Sequence, residues 1–238
     1  DIYNQSTMTI LNIETSTTCC SAAITIDGVV EASAENLAGA NHASELPIFI
    51  EQLFTQAKAN RWHLDAVAFS EGPGSYTGLR IGASTAKGIC YGLNIPLTPI
   101  NTLQILCNAV DNRYLIGGQN ILLCPMIDAR RMEVYTALYN PSTLQPLTDI
   151  TAQVIDEHSF ADQLKENKIY FFGNGAAKCQ SVITSPNAVF IPDIVPQACY
   201  MGLLAERYTP LDVKQMAYYE PFYLKEFVAA PSHIKGLK

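Results

Sequence analysis

The chain has 238 residues, 48% hydrophobic and 16% charged, a composition that fits a globular protein with one sizeable core or two modest ones. Its formal net charge of −7 argues against a large basic face for nucleic acid, so a partner would supply most of any RNA contact. No apolar run approaches the ~20 residues of a membrane span, and the first residues lack the basic and apolar regions of a signal peptide. We therefore expect a cytoplasmic protein without membrane contact.

The first quarter of the chain predicts a three-stranded meander followed by a helix. Residues 1–7 precede the pattern and are either a tag or a natural extension with no assigned function. The predicted strands cover 9–13, 20–26 and 29–35. The helix is predicted over 44–59, because Leu46, Ile50 and Leu53 recur at helical spacing and Pro47 is tolerated best in a first turn.

Strands and helices alternate through the rest of the chain, which predicts an α/β architecture. Further strands are predicted at 64–70, 95–100, 121–127, 132–139, 169–172 and 189–191, and further helices at 78–93, 102–110 and 196–208. The stretch from 111 to 120 contains Gly117-Gly118 and few apolar residues. We therefore predict a boundary near 112–119, between an N-terminal lobe of residues 8–112 and a smaller C-terminal lobe of residues 113–238.

A glycine-rich segment follows the fourth predicted strand, at the place where a phosphate-binding loop would lie. Its spacing does not match the known nucleotide fingerprints. A dinucleotide fingerprint needs G-x-G-x-x-G, whereas three residues separate Gly74 from Gly78. A P-loop needs G-K-[ST], whereas Lys87 is followed by Gly88.

The helix after this segment carries small residues along one face: Gly78, Gly82, Thr85, Gly88 and Gly92. An interior glycine costs roughly 1 kcal/mol relative to alanine, so close approach of another backbone is the natural reason for it. That backbone is either an internal strand or a helix of a partner chain. The opposite face is expected to pack into the chain's own core through Leu79, Ala83, Ala86, Cys90 and Leu93.

Two polar loops could hold an anion. The loop 14–18 offers hydroxyls and amides for a phosphate and an acid for a metal-bound water, or it is a solvated turn capped by its own side chains. Asp128, Arg130 and Arg131 could grip a phosphate or carboxylate, or form an inter-strand turn with a local ion pair. The residues alone leave both alternatives open.

The histidines and cysteines indicate neither a metal site nor a disulfide framework. His42 and Glu45 share a predicted helical face, but Leu46 occupies the position where a helical metal site needs a second histidine. The seven cysteines are odd in number and include no C-x-x-C pair, so we expect buried, reduced thiols. The sequence also lacks the G-x-S-x-G elbow of serine hydrolases.

The chain resembles the TsaB (YeaZ-like) family. The segment Gly72-Pro-Gly-Ser-Tyr-Thr-Gly-Leu-Arg-Ile-Gly82 with Ala86-Lys-Gly88 is similar to the family's GPGSFTGLRIG and AKGLA motifs. Weaker matches keep the family's order: Ile10-Leu-Asn-Ile-Glu-Thr-Ser-Thr17, His42-Ala-Ser-Glu45, Asp128-Ala-Arg130 with Glu133-Val-Tyr135, and Tyr223-Leu224. The resemblance implies the actin-like ATPase (ASKHA, ribonuclease H-like) fold, with two lobes of which the second is reduced.

The resemblance also implies a function. Such a chain would be a non-catalytic subunit required for threonylcarbamoyl transfer to the tRNA adenosine next to the anticodon, and older descriptions call such proteins glycoproteases. It would activate a metal-holding TsaD-like catalytic partner, which a TsaE-like ATPase joins, would form a homodimer when alone, and would meet tRNA only indirectly. The implied partner interface comprises Leu46, Ile50, Gly78, Ile81, Gly82, Thr85, Gly88 and Ile89.

The resemblance implies no catalytic residue and no metal in this chain. Glu14, Thr15, Ser16 and Thr17 would form a vestigial or shared nucleotide loop. Glu14 stands where the family usually has aspartate, so ATP or ADP with magnesium would bind only weakly or in the complex. Two rival functions remain: an independent ATPase or kinase of the same fold that uses the 15–17 hydroxyls, and a metalloprotease, against which the histidine spacing argues.

Overall fold

The computed structural model describes residues 7–39, 41–111 and 120–225, which form two five-stranded sheets with helices around them. The strands are β1 (Thr9–Glu14), β2 (Cys20–Ile26), β3 (Val29–Asn36), β4 (Ala66–Gly72), β5 (Leu97–Asn101), β6 (Ile121–Asp128), β7 (Glu133–Thr136), β8 (Thr151–Val154), β9 (Lys168–Phe172) and β10 (Ala188–Phe190). The helices are α1 (His42–Asn60), α2 (Tyr76–Leu93), α3 (Thr102–Asn108), α4 (Ala161–Glu166), α5 (Gly202–Ala205) and α6 (Val213–Tyr218).

The two sheets share one strand order. The first runs β3-β2-β1-β4-β5 and the second runs β8-β7-β6-β9-β10. In each sheet three strands form an antiparallel meander and the other two run parallel to its first strand. This repeat confirms the predicted two-lobed α/β fold.

The second lobe keeps five strands, most of them shorter than those of the first lobe, and is reduced most in its helices. The connection between β3 and β4 is the 19-residue α1, whereas the equivalent connection in the second lobe contains only the six-residue α4. Likewise the 18-residue α2 between β4 and β5 corresponds to a single 3-10 turn at Ala177–Cys179 between β9 and β10. The prediction of a reduced second lobe is therefore confirmed.

The first sheet is covered on both faces, which explains why every residue of β1 is buried. Leu11 and Ile13 point to the face that packs against α1 and α2. Ile10 points to the opposite face, where it joins a cluster with Met201 and Leu204. The chain therefore returns to its first sheet after it has built the second.

Helix α3 packs against both sheets. Leu103, on α3, belongs to the cluster that contains Leu123 and Phe172 of the second sheet. Ile105, two residues further along the same helix, lies in the cluster of Ile10 on the first sheet. The boundary predicted near 112–119 lies outside the described residues, as does the predicted extension up to residue 6.

Helix α1 begins earlier than predicted. Its first residue is His42 rather than Ser44, which places Pro47 in the second turn. Proline lacks the N–H that would bond to the preceding turn. Packing of the apolar stripe that includes Ile50 and Leu53 offsets this lost bond, since Leu53 is fully buried.

The helix predicted over 196–208 is wrong. This stretch forms a 3-10 turn at Ala198–Tyr200 and the short α5, with Ala198 N–H donating to Ser21 Oγ on β2 at 2.9 Å. Its apolar residues fit a helical period but instead lie flat on the first sheet. Sequence reasoning also missed β8, α4 and α6, although Asp212 and Gln215 form a capping box at the start of α6 that could have revealed it.

The expected buried thiols are confirmed, since all seven cysteines are free and only Cys199 is partly exposed. Across the described residues, none of the helices combines the length and the apolar character needed to cross a membrane.

Candidate functional site

The β1–β2 loop lies buried beneath the first turn of α2. Glu14, Thr15, Ser16 and Thr17 are at most 6% exposed. Ser75 N–H, at the N-cap of α2, donates to the Ser16 carbonyl at 2.7 Å. Thr15 Oγ1 donates to the Gly78 carbonyl at 2.8 Å. The loop is thus fastened to the helix and presents little surface to a ligand.

Two glycines of α2 permit this close approach. A Cβ atom on Gly78 would lie 2.1 Å from the Thr15 carbonyl oxygen, and one on Gly82 would lie 2.4 Å from Thr15 Oγ1. Gly74, just before the helix, is similarly tight against Ser16. These distances exclude any side chain without movement of the β1–β2 loop. The close approach inferred from the sequence is therefore made to the chain's own loop. Gly78 and Gly82, which were predicted to face a partner helix, face Thr15 of this loop instead.

Glu14 places a carboxyl group inside the loop with no exposed surface. Its Oε1 accepts hydrogen bonds from Ser16 N–H at 2.6 Å and Ser16 Oγ at 2.5 Å, whereas Oε2 has no partner. Burial raises the pKa of Glu14 to about 7, although the hydrogen bonds from Ser16 and Ser70 act in the opposite direction. The group is therefore substantially protonated near neutral pH.

The fold that the resemblance implies would hold a magnesium nucleotide at such a loop, but the residues present do not fit one. The Thr15 hydroxyl donates to Gly78, and the amide and hydroxyl of Ser16 donate to Glu14. The hydroxyls of Thr15 and Ser16, two of the three that would hold a phosphate, are therefore already used. A buried carboxyl group whose pKa is raised is also a poor partner for a magnesium-bound water.

The second-lobe loop forms an inter-strand turn. Asp128 forms an ion pair with Lys178, not with either arginine of the loop, and accepts from Arg130 N–H at 3.0 Å. Arg130 and Arg131 both adopt left-handed backbone angles, with φ of 74° and 48°. This arrangement agrees with the turn alternative, with Lys178 supplying the cation.

An apolar groove runs between α1 and α2 on the outer face of the first lobe. It encloses ≈510 Å³ and is lined by Pro47, Ile50, Glu51, Phe54, Thr55, Lys58, Thr85 and Ile89. Its walls are mostly carbon, and Glu51 and Lys58 are its charged members. We call this surface the α1–α2 groove.

The residues predicted for a partner interface fall into two groups. Ile50, Thr85 and Ile89 line the α1–α2 groove, and Ile81 packs partly buried beside them. Gly88 is exposed, and a Cβ there would meet nothing within 4 Å. Leu46, by contrast, is fully buried in the core of the first lobe, so it is not part of the candidate surface, and neither are the buried Gly78 and Gly82. On the opposite face, Leu93 is 51% exposed, so its predicted core position is wrong.

His42 and Glu45 serve local structure. His42 Nε2 lies 3.1 Å from the Cys19 carbonyl oxygen, and the Glu45 carboxylate accepts from Asn36 Nδ2 at 3.0 and 3.2 Å. Within the described ranges no group of three or more His, Cys, Asp or Glu side chains is placed to hold a metal ion.

A second groove lies on the other side of α2, against the C-terminal segment. It encloses ≈520 Å³ and is lined by Tyr76, Arg80, Ala83, Ser84, Lys87, Tyr219, Glu220, Pro221, Tyr223 and Lys225. We call it the C-terminal groove. Sequence reasoning missed it, since its two walls are more than a hundred residues apart and only tertiary packing brings them together.

The segment that forms one wall is fixed by hydrogen bonds. Phe222 N–H donates to the Glu71 carbonyl at 2.7 Å, and Lys87 Nζ donates to the Tyr219 carbonyl at 2.5 Å. The Tyr219 hydroxyl also donates to the Glu71 carboxylate. Burial raises the pKa of Glu71, partly offset by this bond. The wall is thereby held at the end of β4 and along α2.

Comparison with known proteins identifies relatives over most of the chain. A family model described as TsaD, tRNA N6-adenosine threonylcarbamoyltransferase, matches residues 34–201. The tRNA threonylcarbamoyladenosine biosynthesis protein TsaB of Haemophilus influenzae is 29% identical over 230 residues, 93% of this chain and 95% of that protein. The TsaB protein of Buchnera aphidicola subsp. Schizaphis graminum is 31% identical over 199 residues, 79% of this chain and 91% of that protein.

A solved structure has the same fold. YeaZ from Pseudomonas aeruginosa superimposes with a TM-score of 0.72 at 24% identity, over 91% of this chain and 100% of that one. Together with the repeated strand order, this likeness confirms the expected actin-like arrangement of the two lobes.

Proposed function

The chain belongs to the TsaB (YeaZ-like) family, and from that premise we propose that it is a non-catalytic subunit required for threonylcarbamoyl transfer to tRNA. The modified base is the adenosine next to the anticodon. The chain acts by binding and activating a TsaD-like catalytic partner, which a TsaE-like ATPase joins. We expect it to be located in the cytoplasm, together with its tRNA substrate.

The observation that carries this proposal is the contrast between a closed β1–β2 loop and an open α1–α2 groove. The loop uses its own donors and buries its own acid. The groove instead exposes carbon atoms of Phe54 and Ile89 on two long helices, with the buried Ile50 in its lining. A rigid apolar face on helices is suited to docking a helix of another protein, since the hydrophobic effect favours its removal from water.

The partner chemistry follows from the family relation. A TsaD-like protein is related to this chain, so its corresponding helices can lie against α1 and α2 as a pseudo-symmetric pair. When no partner is present, a second copy of this chain can cover the same groove. We propose a homodimer in that state, which sedimentation measurements can test.

Reconstitution tests the proposed function. Purified TsaD-like and TsaE-like proteins, tRNA and the threonylcarbamoyl donor are incubated with and without this chain, and modified adenosine is measured. We expect product only when the chain is present and none from the chain with tRNA and donor alone. Equal product without the chain would overturn its required role, and product from the chain alone would overturn its non-catalytic role.

We propose further that the isolated chain holds no nucleotide tightly. The support is the internal use of the Thr15 and Ser16 donors. Calorimetric titration with magnesium-ATP should give no binding in the low-micromolar range. Such binding by the isolated chain would favour the independent ATPase instead.

A further inference from the structure

The C-terminal groove concentrates positive charge on an acidic protein. The chain carries 15 basic and 22 acidic residues, yet the described residues that line the groove include Arg80, Lys87 and Lys225 against one carboxylate, Glu220. Arg80 and Lys225 are exposed and Lys87 is half-buried. This local excess of cations runs against the average charge of the surface and favours an anionic ligand.

Two nearby acids of the described chain that lie outside the lining are already engaged. Glu71 accepts the Tyr219 hydroxyl, and burial raises the pKa of its carboxyl group. Glu133 pairs with Lys225 from the β7 side. Lys87 donates one of its three N–H bonds to the Tyr219 carbonyl, so its charge is held in the groove while two donors remain. Arg80 and Lys87 are therefore the cations best placed to meet a ligand.

Aromatic rings lie beside these cations. The rings of Tyr76 and Tyr223 are 4.8 Å apart between centroids and tilted by 43°. The Arg80 guanidinium lies 5.6 Å from the centroid of the Tyr76 ring. Aromatic rings next to cations in an open groove are the combination used to bind single-stranded nucleic acid, since bases stack on the rings and phosphates meet the cations.

The spacing of the cations favours a polynucleotide over a mononucleotide. Arg80 and Lys87 are seven residues apart on α2, about 10 Å along the helix axis. Tyr76 lies one further turn toward the N-terminus. A strand of a few nucleotides can place a base on the tyrosines and phosphates on both cations. A mononucleotide would reach only one cation while it stacks.

We propose that the C-terminal groove binds a short single-stranded segment of RNA. Tyr76 and Tyr223 supply a stacking surface, and Arg80 and Lys87 bind phosphates. The inference rests on the proposed function, in which tRNA is the substrate of the complex, and it assigns this chain a small direct RNA contact. The net charge of −7 limits that contact to an accessory one, with the partner supplying most of the affinity.

Salt dependence of oligonucleotide binding gives the first test. The full chain is titrated into a fluorescein-labelled single-stranded oligoribonucleotide, and anisotropy is followed at several salt concentrations. The logarithm of the binding constant should fall with the logarithm of salt with a slope of about −1.4, because each neutralised phosphate on a single strand contributes about −0.7. R80A and K87A should each reduce the steepness by about 0.7.

Matched variants separate the groove from the rest of the surface. K58A removes an equal charge from the α1–α2 groove and should leave binding unchanged. Y223L should weaken binding about 10-fold without altering the salt slope, since a lost stacking contact is not ionic. Circular dichroism and thermal melting check that each variant is folded, and K87R should retain binding if K87A perturbs the segment at Tyr219.

Three results would overturn the inference: a slope near zero, a K58A effect equal to that of R80A, or competition by a mononucleotide as strong as by the oligomer. The last would assign the groove to free nucleotide.

The reconstituted complex separates this inference from the proposed function. R80A should raise KM for tRNA about 5-fold with kcat unchanged, and should leave capture of the TsaD-like partner intact. If the complex needs the chain but KM for tRNA does not move, the RNA contact is wrong and the proposed function stands. If the complex does not need the chain, the proposed function fails whatever the anisotropy gives.

Discussion

The side chain of Glu14 carries a carboxyl group that is buried, and burial makes its charged form unfavourable. It has no exposed surface, and Ser16 satisfies only one of its two oxygens. Desolvation therefore dominates, and the group takes up a proton more readily in the folded chain than in the unfolded chain. The β1–β2 loop is therefore a closed turn whose polar groups bond to one another rather than to a ligand.

A pH dependence of stability follows from Glu14. Its pKa is about 7 when folded and near the ordinary value of 4.5 when unfolded, so its contribution is complete below 4.5 and is lost as pH rises through 7. The loss amounts to about 3 kcal/mol. E14Q, which cannot ionise, should keep the fold and lose this decline, as measured by urea denaturation at pH 5 and pH 8. An unchanged decline in E14Q would show that another group causes it.

Two glycines of α2 should respond oppositely to alanine. G78A should destabilise the chain by about 3 kcal/mol, because its Cβ would lie 2.1 Å from the Thr15 carbonyl. G88A should stabilise it by about 1 kcal/mol, because nothing lies within 4 Å and alanine favours a helix. Chemical denaturation of both variants measures the difference. Equal effects would mean that the β1–β2 loop does not rest on α2.

At the scale of one element, α2 uses three faces for three purposes. Leu79 and Ala86 are buried in the core of the first lobe. Ile89 faces the α1–α2 groove, and Lys87 faces the C-terminal groove. Close approach of the β1–β2 loop accounts for the small residues Gly78 and Gly82, whereas Gly88 has no neighbour within 4 Å.

The two outer faces of α2 should be separable by charge. I89D places a carboxylate in the α1–α2 groove and should weaken capture of a TsaD-like partner at least about 10-fold, since docking would bury an unpaired charge. S84D adds the same charge to the same helix on the C-terminal groove and should leave capture intact. Pull-down with purified partner compares them. Equal capture by the folded I89D variant would move the interface elsewhere.

At the scale of the whole molecule, the last described part of the chain belongs structurally to the first sheet. Met201 and Leu204 pack against Ile10, and Met216 joins the cluster of Leu11. The segment Tyr219–Lys225 then lies beside α2 across the C-terminal groove. The two ends of the described chain are thus joined in one lobe, with the second lobe inserted between them.

This arrangement predicts that a core mutation in the last described part of the chain destabilises the first sheet rather than the second. M201A should destabilise the chain by about 2–4 kcal/mol, because Met201 is fully buried. Hydrogen exchange should accelerate in β1 and β2 rather than in β9. Y218A, at a residue 91% exposed, should stay within about 0.5 kcal/mol of the wild type. Faster exchange confined to β9 would contradict the inserted arrangement.

The sequence by itself determined the elements whose signals are local. The strand pattern of β1 to β3, the apolar stripe of α1 and the small residues of α2 were all legible, since period and turn chemistry act over a few residues. The glycine spacing also indicated close approach rather than a nucleotide fingerprint. The family motifs then predicted the two-lobed fold.

Only the tertiary structure decided what each face touches. Gly78 and Gly82 approach Thr15, Gly88 stays open, and Leu46 turns inward. The helical period that places these residues on one stripe does not say which part of the stripe a distant loop will cover. The C-terminal groove depends on contacts such as Lys87 with Tyr219, 132 residues apart. Such contacts are set by packing of the whole chain, which local pattern does not encode.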